Sequence, residues 1–348
     1  MPRRKTGARK NRSEEKLTPC LTQKRGKEPE ANSFDMSRTA ATFHSKDQQV
    51  LAIGELLWDL LPSGKTLGGA PANCCFRLSQ LGIHARMATR IGEDSLGEEL
   101  ASTLAQRGFD LSLVQRDPSL PTGTVDVLLS ADGSPDFTIN SGVAYDALEA
   151  TADLLSAAAE SALVCFGTLI QRTRAAQAVV LKLLEAAPQA IRFLDINLRK
   201  NCFSRDTISA SFEHATIVKL NTGEVETVAR LLGIRASTER GRVAELLQLF
   251  ALECVLVTRG AHGVFALHRS GEEVDLPGIS VVVADTVGSG DSFSAGFIAQ
   301  RLADAPLATC CHFGNINGAL NATLKGGMPQ ISPQVLEEFS AIHPLSLR

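Results

Sequence analysis

Short apolar runs alternate with longer stretches of helical spacing along most of this chain. Val50–Gly54 is an apolar run closed by glycine, the pattern of a buried strand. Ala70–Leu81 sets Phe76, Leu78 and Leu81 at helical intervals and stops at Gly82. The strand-like Arg86–Ile91 and the helical Leu96–Gln106 repeat the alternation. Farther on, Ala162–Phe166, Ile191–Ile196, Thr216–Leu220 and Cys254–Thr258 read as strands. Helical patterns at Thr173–Ala186, Gly223–Leu232 and Arg242–Ala251 separate them. Strands alternating with helices of about 10–15 residues predict βαβ units and a mainly parallel sheet covered on both faces.

One segment breaks that rhythm. Thr122–Ser130 alternates through Val125, Val127 and Leu129, Asp132-Gly133 supplies turn residues, and Phe137–Asn140 is strand-like again. This predicts a β-hairpin. Coming after the first helices, it fits a small β-lid over the sheet edge better than a place in a parallel sheet.

Composition adds bounds. The chain has 348 residues, 44% hydrophobic, with a net charge of −3. A core of this size needs no metal or disulfide staple. The near-neutral balance argues against nucleic acid as the partner. No apolar run approaches the ~20 residues of a membrane span, so no membrane partner and a cytoplasmic protein are expected. The eight cysteines form no C-x-x-C pair and mostly lie in apolar runs, as buried thiols do. Residues 1–48 are basic, polar and aperiodic, with no apolar segment behind the arginines, which predicts a disordered tail rather than a secretory signal. Met36 as the true start is left open. The folded domain is expected over residues 49–343.

The segment Asp285-Thr286-Val287-Gly288-Ser289-Gly290-Asp291 carries the clearest chemistry. It follows the strand-like Val281–Val283 and opens a helical pattern through Phe293, Phe297, Ile298 and Leu302. Two glycines two apart at a helix start expose backbone N–H donors at the positive end of the helix dipole, which is an anion seat. A carboxylate at Asp291 would be repelled by that anion unless it had a task. Accepting a proton from a hydroxyl about to attack phosphorus is such a task. The plain alternative is a turn with an acidic first helical turn. Three better-known motifs fail: Ser63-Gly64-Lys65-Thr66 has Asp59 where a P-loop needs its first glycine, Gly288-Ser289-Gly290 is followed by Phe293 instead of a third glycine, and Gly290–Ser294 lacks the closing glycine of a nucleophile elbow.

Asp285–Asp291 resembles the C-terminal signature of the PfkB carbohydrate kinases. The family's other marks follow in order: Gly68-Gly69-Ala70-Pro71-Ala72-Asn73, Ile91-Gly92-Glu93-Asp94 with Gly97, Lys219-Leu220-Asn221-Thr222-Gly223-Glu224, and Val257-Thr258-Arg259-Gly260 with Gly263. The resemblance spans about Val50 to Met328. It implies a three-layer α/β/α ribokinase-like fold with a mainly parallel central sheet and a small β-sheet lid.

That resemblance also implies roles. Asp291 would be the general base, with Gly288, Ser289 and Gly290 gripping phosphate. Asp59, Gly68, Gly69 and Asn73 would bind the sugar. Asn221, Thr258, Gly260, Gly263 and Asn315 would line the nucleotide site. Asn221 and Glu224 would hold Mg²⁺ through water, and Asp285 would mark a K⁺ site. ATP and a sugar are the implied partners, with a homodimer through the lid; Val125, Val127 and Leu129 would serve that dimer or pack beneath the lid. Gly54-Glu55…Asp59 and Asp195-Ile196-Asn197-Leu198-Arg199 look most like fructokinases. Kinases for 2-keto-3-deoxygluconate or ribose share much of this, and Arg172 and Arg199 would suit an acidic sugar. A non-catalytic regulatory sugar-binding protein is the alternative from another class.

Overall fold

In the computed structural model, which describes residues 48–129 and 135–346, successive residues of each central strand point to opposite faces. Numbered in chain order, the central strands are β1 (Gln49–Ile53), β4 (His84–Gly92), β5 (Val114–Asp117), β8 (Leu163–Phe166), β9 (Ile191–Asp195), β10 (Ile217–Asn221), β11 (Cys254–Thr258), β12 (Val264–His268) and β13 (Glu273–Leu276). They form one sheet in the order β13-β12-β11-β10-β9-β8-β1-β4-β5. Pairing is parallel from β5 to β11 and antiparallel at β12 and β13.

Val50, Ala52, Leu163, Cys165, Phe193 and Leu256 pack on one face, under α1 (Ala70–Gln80), α2 (Ser95–Gln106), α8 (Ser289–Leu302) and α9 (Leu307–Ala322). Their neighbours Leu51, Ile53, Val164, Phe166, Leu194 and Val255 pack on the other. There they meet α3 (Ala152–Glu160), α4 (Arg174–Glu185), α5 (Arg205–His214), α6 (Thr222–Leu232) and α7 (Glu239–Leu249). This is the expected three-layer arrangement. A further α-helix, α10 (Pro333–Ala341), lies against α9. Strands buried on both faces read as continuous apolar runs, which is why the sequence shows them so clearly.

The lid is a separate sheet in the order β3-β2-β6-β7, with β2 at Leu57–Leu61, β3 at Gly64–Gly68, β6 at Thr124–Leu129 and β7 at Pro135–Ile139. The hairpin is present as the antiparallel β6–β7 pair, though β2 joins β6 in parallel. Its turn at Asp132-Gly133 lies outside the described residues, as does the expected tail at residues 1–47. Val125 and Val127 are buried in the chain's own core, so they pack beneath the lid. Trp58 of β2 is buried as well; its indole N–H donates to the Leu96 carbonyl at 3.0 Å, and the Lys65 ammonium lies over its ring.

One expected strand is absent. Val281–Val283 runs as irregular chain, and Val282 is 90% exposed. A β-branched run becomes a strand only where a neighbouring strand pairs with it, and among the described residues none pairs with this segment. The near P-loop at Ser63–Thr66 is the end of the β2–β3 turn and the start of β3 in the lid, with Lys65 paired to Glu99. The described cysteines form no disulfide, and Cys74, Cys75, Cys165, Cys254, Cys310 and Cys311 are buried.

Candidate active site

Parallel strands bring their carboxyl ends to one edge of a sheet, and the lid stands over that edge. Between them lies a cavity of about 1090 Å³. Its walls include Asp59, Gly69 and Asn73 near the lid, and Thr286, Gly288, Gly290 and Asp291 from the Gly-rich turn. Asp195, Lys219, Asn221 and Thr258 come from β9, β10 and β11 toward their carboxyl ends, and Glu224 from the first turn of α6.

The turn adopts its shape because Gly288 sits at φ 76°, ψ −2°, a left-handed conformation that glycine takes without cost. A side chain there would also collide with Gly327, 2.6 Å from where its Cβ would stand. Gly288 caps α8 without a side chain, which puts Asp291 in the first helical turn. The first N–H groups of a helix have no partners inside it. Ser289 is an exception to the expected phosphate grip. Its N–H donates to the Thr286 carbonyl at 3.2 Å, its hydroxyl is buried, and it does not line the cavity. Of the helix start, Gly288, Gly290 and Asp291 line the cavity.

Asp291 is 8% exposed and accepts a 2.7 Å hydrogen bond from Asn73 Nδ2. Burial pushes its carboxyl up to about 6, and the charge of Asp195 adds to this; Lys219, the Asn73 hydrogen bond and Arg199 pull the other way. Beside it, Lys219 Nζ donates to both oxygens of Asp195 at 3.0 Å, and the Ser294 hydroxyl donates to Asp195 Oδ2 at 2.7 Å. Lys219 and Asp195 are register partners on neighbouring strands. Burial disfavours the Lys219 ammonium, but Asp195, Glu224 and Asp291 outweigh it and hold its pKa above the ordinary value.

Near the lid, Asp59 is pushed up to about 6 by burial, against the opposing charge of Arg199. Gly68 does not line the cavity; a Cβ there would stand 2.5 Å from Asp59 Oδ2, so its bareness makes room for that carboxylate. Gly69, at φ 109°, brings the chain close against the Glu55 carbonyl at the start of α1. Glu55, Leu57 and Asp59 all line the cavity, two residues apart as on one strand face. Glu55 accepts from the Ala70 N–H at 3.1 Å, and burial, partly offset by its own and Ala70's backbone and by Arg199, pushes it up to about 7.

The remaining expected residues divide. Thr258 borders the cavity, and its hydroxyl donates to the Leu220 carbonyl. Gly260 and Gly263 shape the short turn behind it, with Gly263 at φ 90° where a Cβ would strike the Leu276 carbonyl. Asn315 donates to the Pro277 carbonyl at 3.2 Å and lies off the wall. Asn221 and Glu224 form a reciprocal cap at the start of α6. Both Glu224 oxygens accept backbone N–H groups, from Leu198 and Asn221, each at 2.8 Å. Each oxygen keeps one further lone pair, which suits contact with a hydrated ion. Asp285 braces the loop instead of facing the cavity, accepting from Val287 N–H at 3.0 Å and Gly326 N–H at 2.9 Å. Arg172 is held by Asp146, through two 2.7 Å hydrogen bonds, and it also donates to the Asn140 carbonyl.

Sequence reasoning assigned no role to Glu55, Asp195, Lys219, Ser294 or Gly327. A signal existed for two of them: Lys219 interrupts an apolar strand, and Asp195 ends one, and charges in such places need partners. Gly327 gave no such signal; it shields both Gly288 and Asn73 through a contact made only in three dimensions.

Known proteins resemble this chain over most of its length. The chain is 30% identical over 298 residues to a fructokinase of Klebsiella pneumoniae, covering 80% of this chain and 95% of that one. Fructokinase-1 of Oryza sativa subsp. japonica is 29% identical over 318 residues, covering 83% and 96%. In fold, the fructokinase with bound ATP from Xylella fastidiosa matches with a TM-score of 0.74 at 21% identity, over 84% of this chain and 98% of that one. A putative ribokinase II from E. coli matches with a TM-score of 0.74 at 23% identity, over 85% and 100%. The model of the pfkB family carbohydrate kinases matches residues 63–334. Because that match runs from the β2–β3 turn into α10 and so covers well over half of the chain, the chain belongs to the pfkB family of carbohydrate kinases.

Proposed function

We propose that the protein transfers the γ-phosphoryl group of ATP to a primary hydroxyl of fructose, with Asp291 as the general base. The observation that carries this reading is the placement of a buried carboxylate, held by Asn73, in the same helical turn as the unpartnered N–H groups of the Gly-rich seat. Asp291 takes the proton as the sugar oxygen attacks phosphorus. The N–H groups at Gly288, Gly290 and Asp291 bind the phosphoryl oxygens as charge spreads over them. Asn221 and Glu224 would hold the waters of Mg²⁺, which supplies neutralising charge to the ATP phosphates. A K⁺ ion beside Asp285 belongs to the same reading, supported by the potassium-bound form of the fructokinase from Vibrio cholerae O395.

Two features favour a neutral sugar over an acidic one. Glu55 and Asp59 line the sugar end of the cavity, and carboxylates accept hydrogen bonds from hydroxyls while repelling an acid. Of the two arginines that would suit an acidic sugar, Arg172 is occupied by Asp146, and Arg199 lines the cavity facing Glu55 and Asp59, whose carboxylates offset its charge. The curated relatives named fructokinase support fructose among neutral sugars. ADP release measured with fructose, ribose and 2-keto-3-deoxygluconate tests the choice. Fructose is expected to give the highest kcat/KM; release with none of them would sink the kinase reading. Asp291→Asn is expected to lower kcat by about 10²–10⁴-fold while the sugar still binds.

A further inference from the structure

Lys219 sits where the reaction described above needs a cation, and nothing in that mechanism uses it. Its ammonium lines the cavity, and it lies 3.1 Å from where a Cβ on Gly290 would stand, directly behind the phosphate seat. The bond to Asp195 and that carboxylate's bond to Ser294 of α8 fix its position from two elements. Asp195 occupies at most two of the three ammonium donors, which leaves one N–H available to the cavity. A buried ion pair is weak evidence of stability, because well-packed apolar side chains serve a fold as well or better. A pair that also faces the phosphate seat has a use that apolar side chains cannot replace.

We infer that Lys219 is a further catalytic residue, whose ammonium hydrogen-bonds a γ-phosphoryl oxygen of ATP as the group transfers. The inference rests on the kinase reading. In the step, the sugar hydroxyl proton goes to the Asp291 carboxylate as the bond from sugar oxygen to phosphorus forms. The bond from phosphorus to the β,γ-bridging oxygen breaks, and ADP leaves with its electron pair. Lys219 keeps its proton throughout and neutralises charge on the transferring group. Asp195 is a positioning residue, acting through Lys219.

The same cation sets the proton affinity of the base. The charged groups facing Asp291 are Asp195 on β9, Lys219 on β10, Arg199 on the loop after β9 and Glu55 after β1. Glu224 on α6 faces Lys219 in turn. Removing the ammonium leaves the carboxylates less compensated and raises the pH at which Asp291 releases its proton.

The test compares wild type with Lys219→Met and with the double variant Lys219→Met/Asp195→Asn, in which the ion pair is removed as a unit and Asp195 is not left as an unpaired charge. Folding of each is checked by its urea midpoint. Both variants are expected to lose roughly 10²–10³-fold in kcat, as after loss of a transition-state donor. The acid limb of the Lys219→Met pH–rate profile is expected to move to higher pH. By calorimetry without turnover, a non-hydrolysable ATP analogue should bind the double variant about tenfold more weakly while ADP binds as before, since only the former presents a γ-phosphate. A folded double variant with kcat within threefold of wild type overturns the inference and leaves Lys219 as a structural ion pair. Equal weakening of ADP and the ATP analogue, or no weakening of either, overturns it too. Absence of wild-type turnover with every sugar would instead strike the kinase reading itself, a result read before any variant is compared.

Discussion

Glu55, Asp59, Asp195 and Asp291 face one cavity, with Lys219 as the buried cation among them. Crowding carboxylates out of water favours their neutral forms. For Asp291, pushed up to about 6, this has a kinetic consequence, because only the ionised carboxylate can accept a proton. kcat/KM is expected to be flat above about pH 7 and to fall tenfold per pH unit well below pH 6. A profile flat down to pH 4 would separate Asp291 from the base role. Glu55 has a consequence for stability. Its pKa rises from 4.5 to about 7 on folding, so the folded chain holds the extra proton between those values. Its contribution is therefore full below about pH 4.5 and is lost as pH rises through about 7, an effect of roughly 3 kcal/mol. Glu55→Gln, which stays neutral, is expected to match the wild-type melting temperature at pH 5 and exceed it by a few degrees at pH 8. Equal differences at both pH values would show that the carboxyl does not titrate with folding.

The elements that build the site differ in how openly the sequence announces them. β8, β9, β10 and β11 are apolar on both faces, and each was visible within a residue or two. β2, β3 and β13 mix exposed or half-exposed residues with buried ones, which blurs their apolar signal, while β12 is a largely buried, mostly apolar run of five residues, too short for periodicity alone to single out. The start of α8 was legible because its chemistry is local: a left-handed Gly288 followed by Asp291 in the first turn. What holds that start in place was not legible, since Gly327 comes from the loop after α9. Gly288→Ala tests the element as a unit. It combines a left-handed strain of about 1–2 kcal/mol with a collision against Gly327. The expected result is a lower urea midpoint together with a kcat loss greater than tenfold. An unchanged kcat would mean that the turn need not hold this shape.

At the scale of the whole molecule, the cavity exists because a parallel sheet places every strand's carboxyl end on one side, and a second sheet stands over that side. The first condition follows from the βαβ rhythm and was readable from apolar spacing. The second rests on β2 pairing in parallel with β6, between segments more than sixty residues apart, which no local pattern records. Trp58 lies in β2 between two cavity-lining residues, Leu57 and Asp59, with its indole on the opposite strand face, where it donates to the Leu96 carbonyl. Trp58 is the chain's one tryptophan. When it is excited on the long-wavelength side of tyrosine absorption, its emission therefore reports on a single strand of the cover. Adding fructose without nucleotide is expected to change that emission saturably, so occupancy can be followed optically before any phosphate moves. A silent indole at saturating fructose would mean that β2 keeps its place when the sugar arrives.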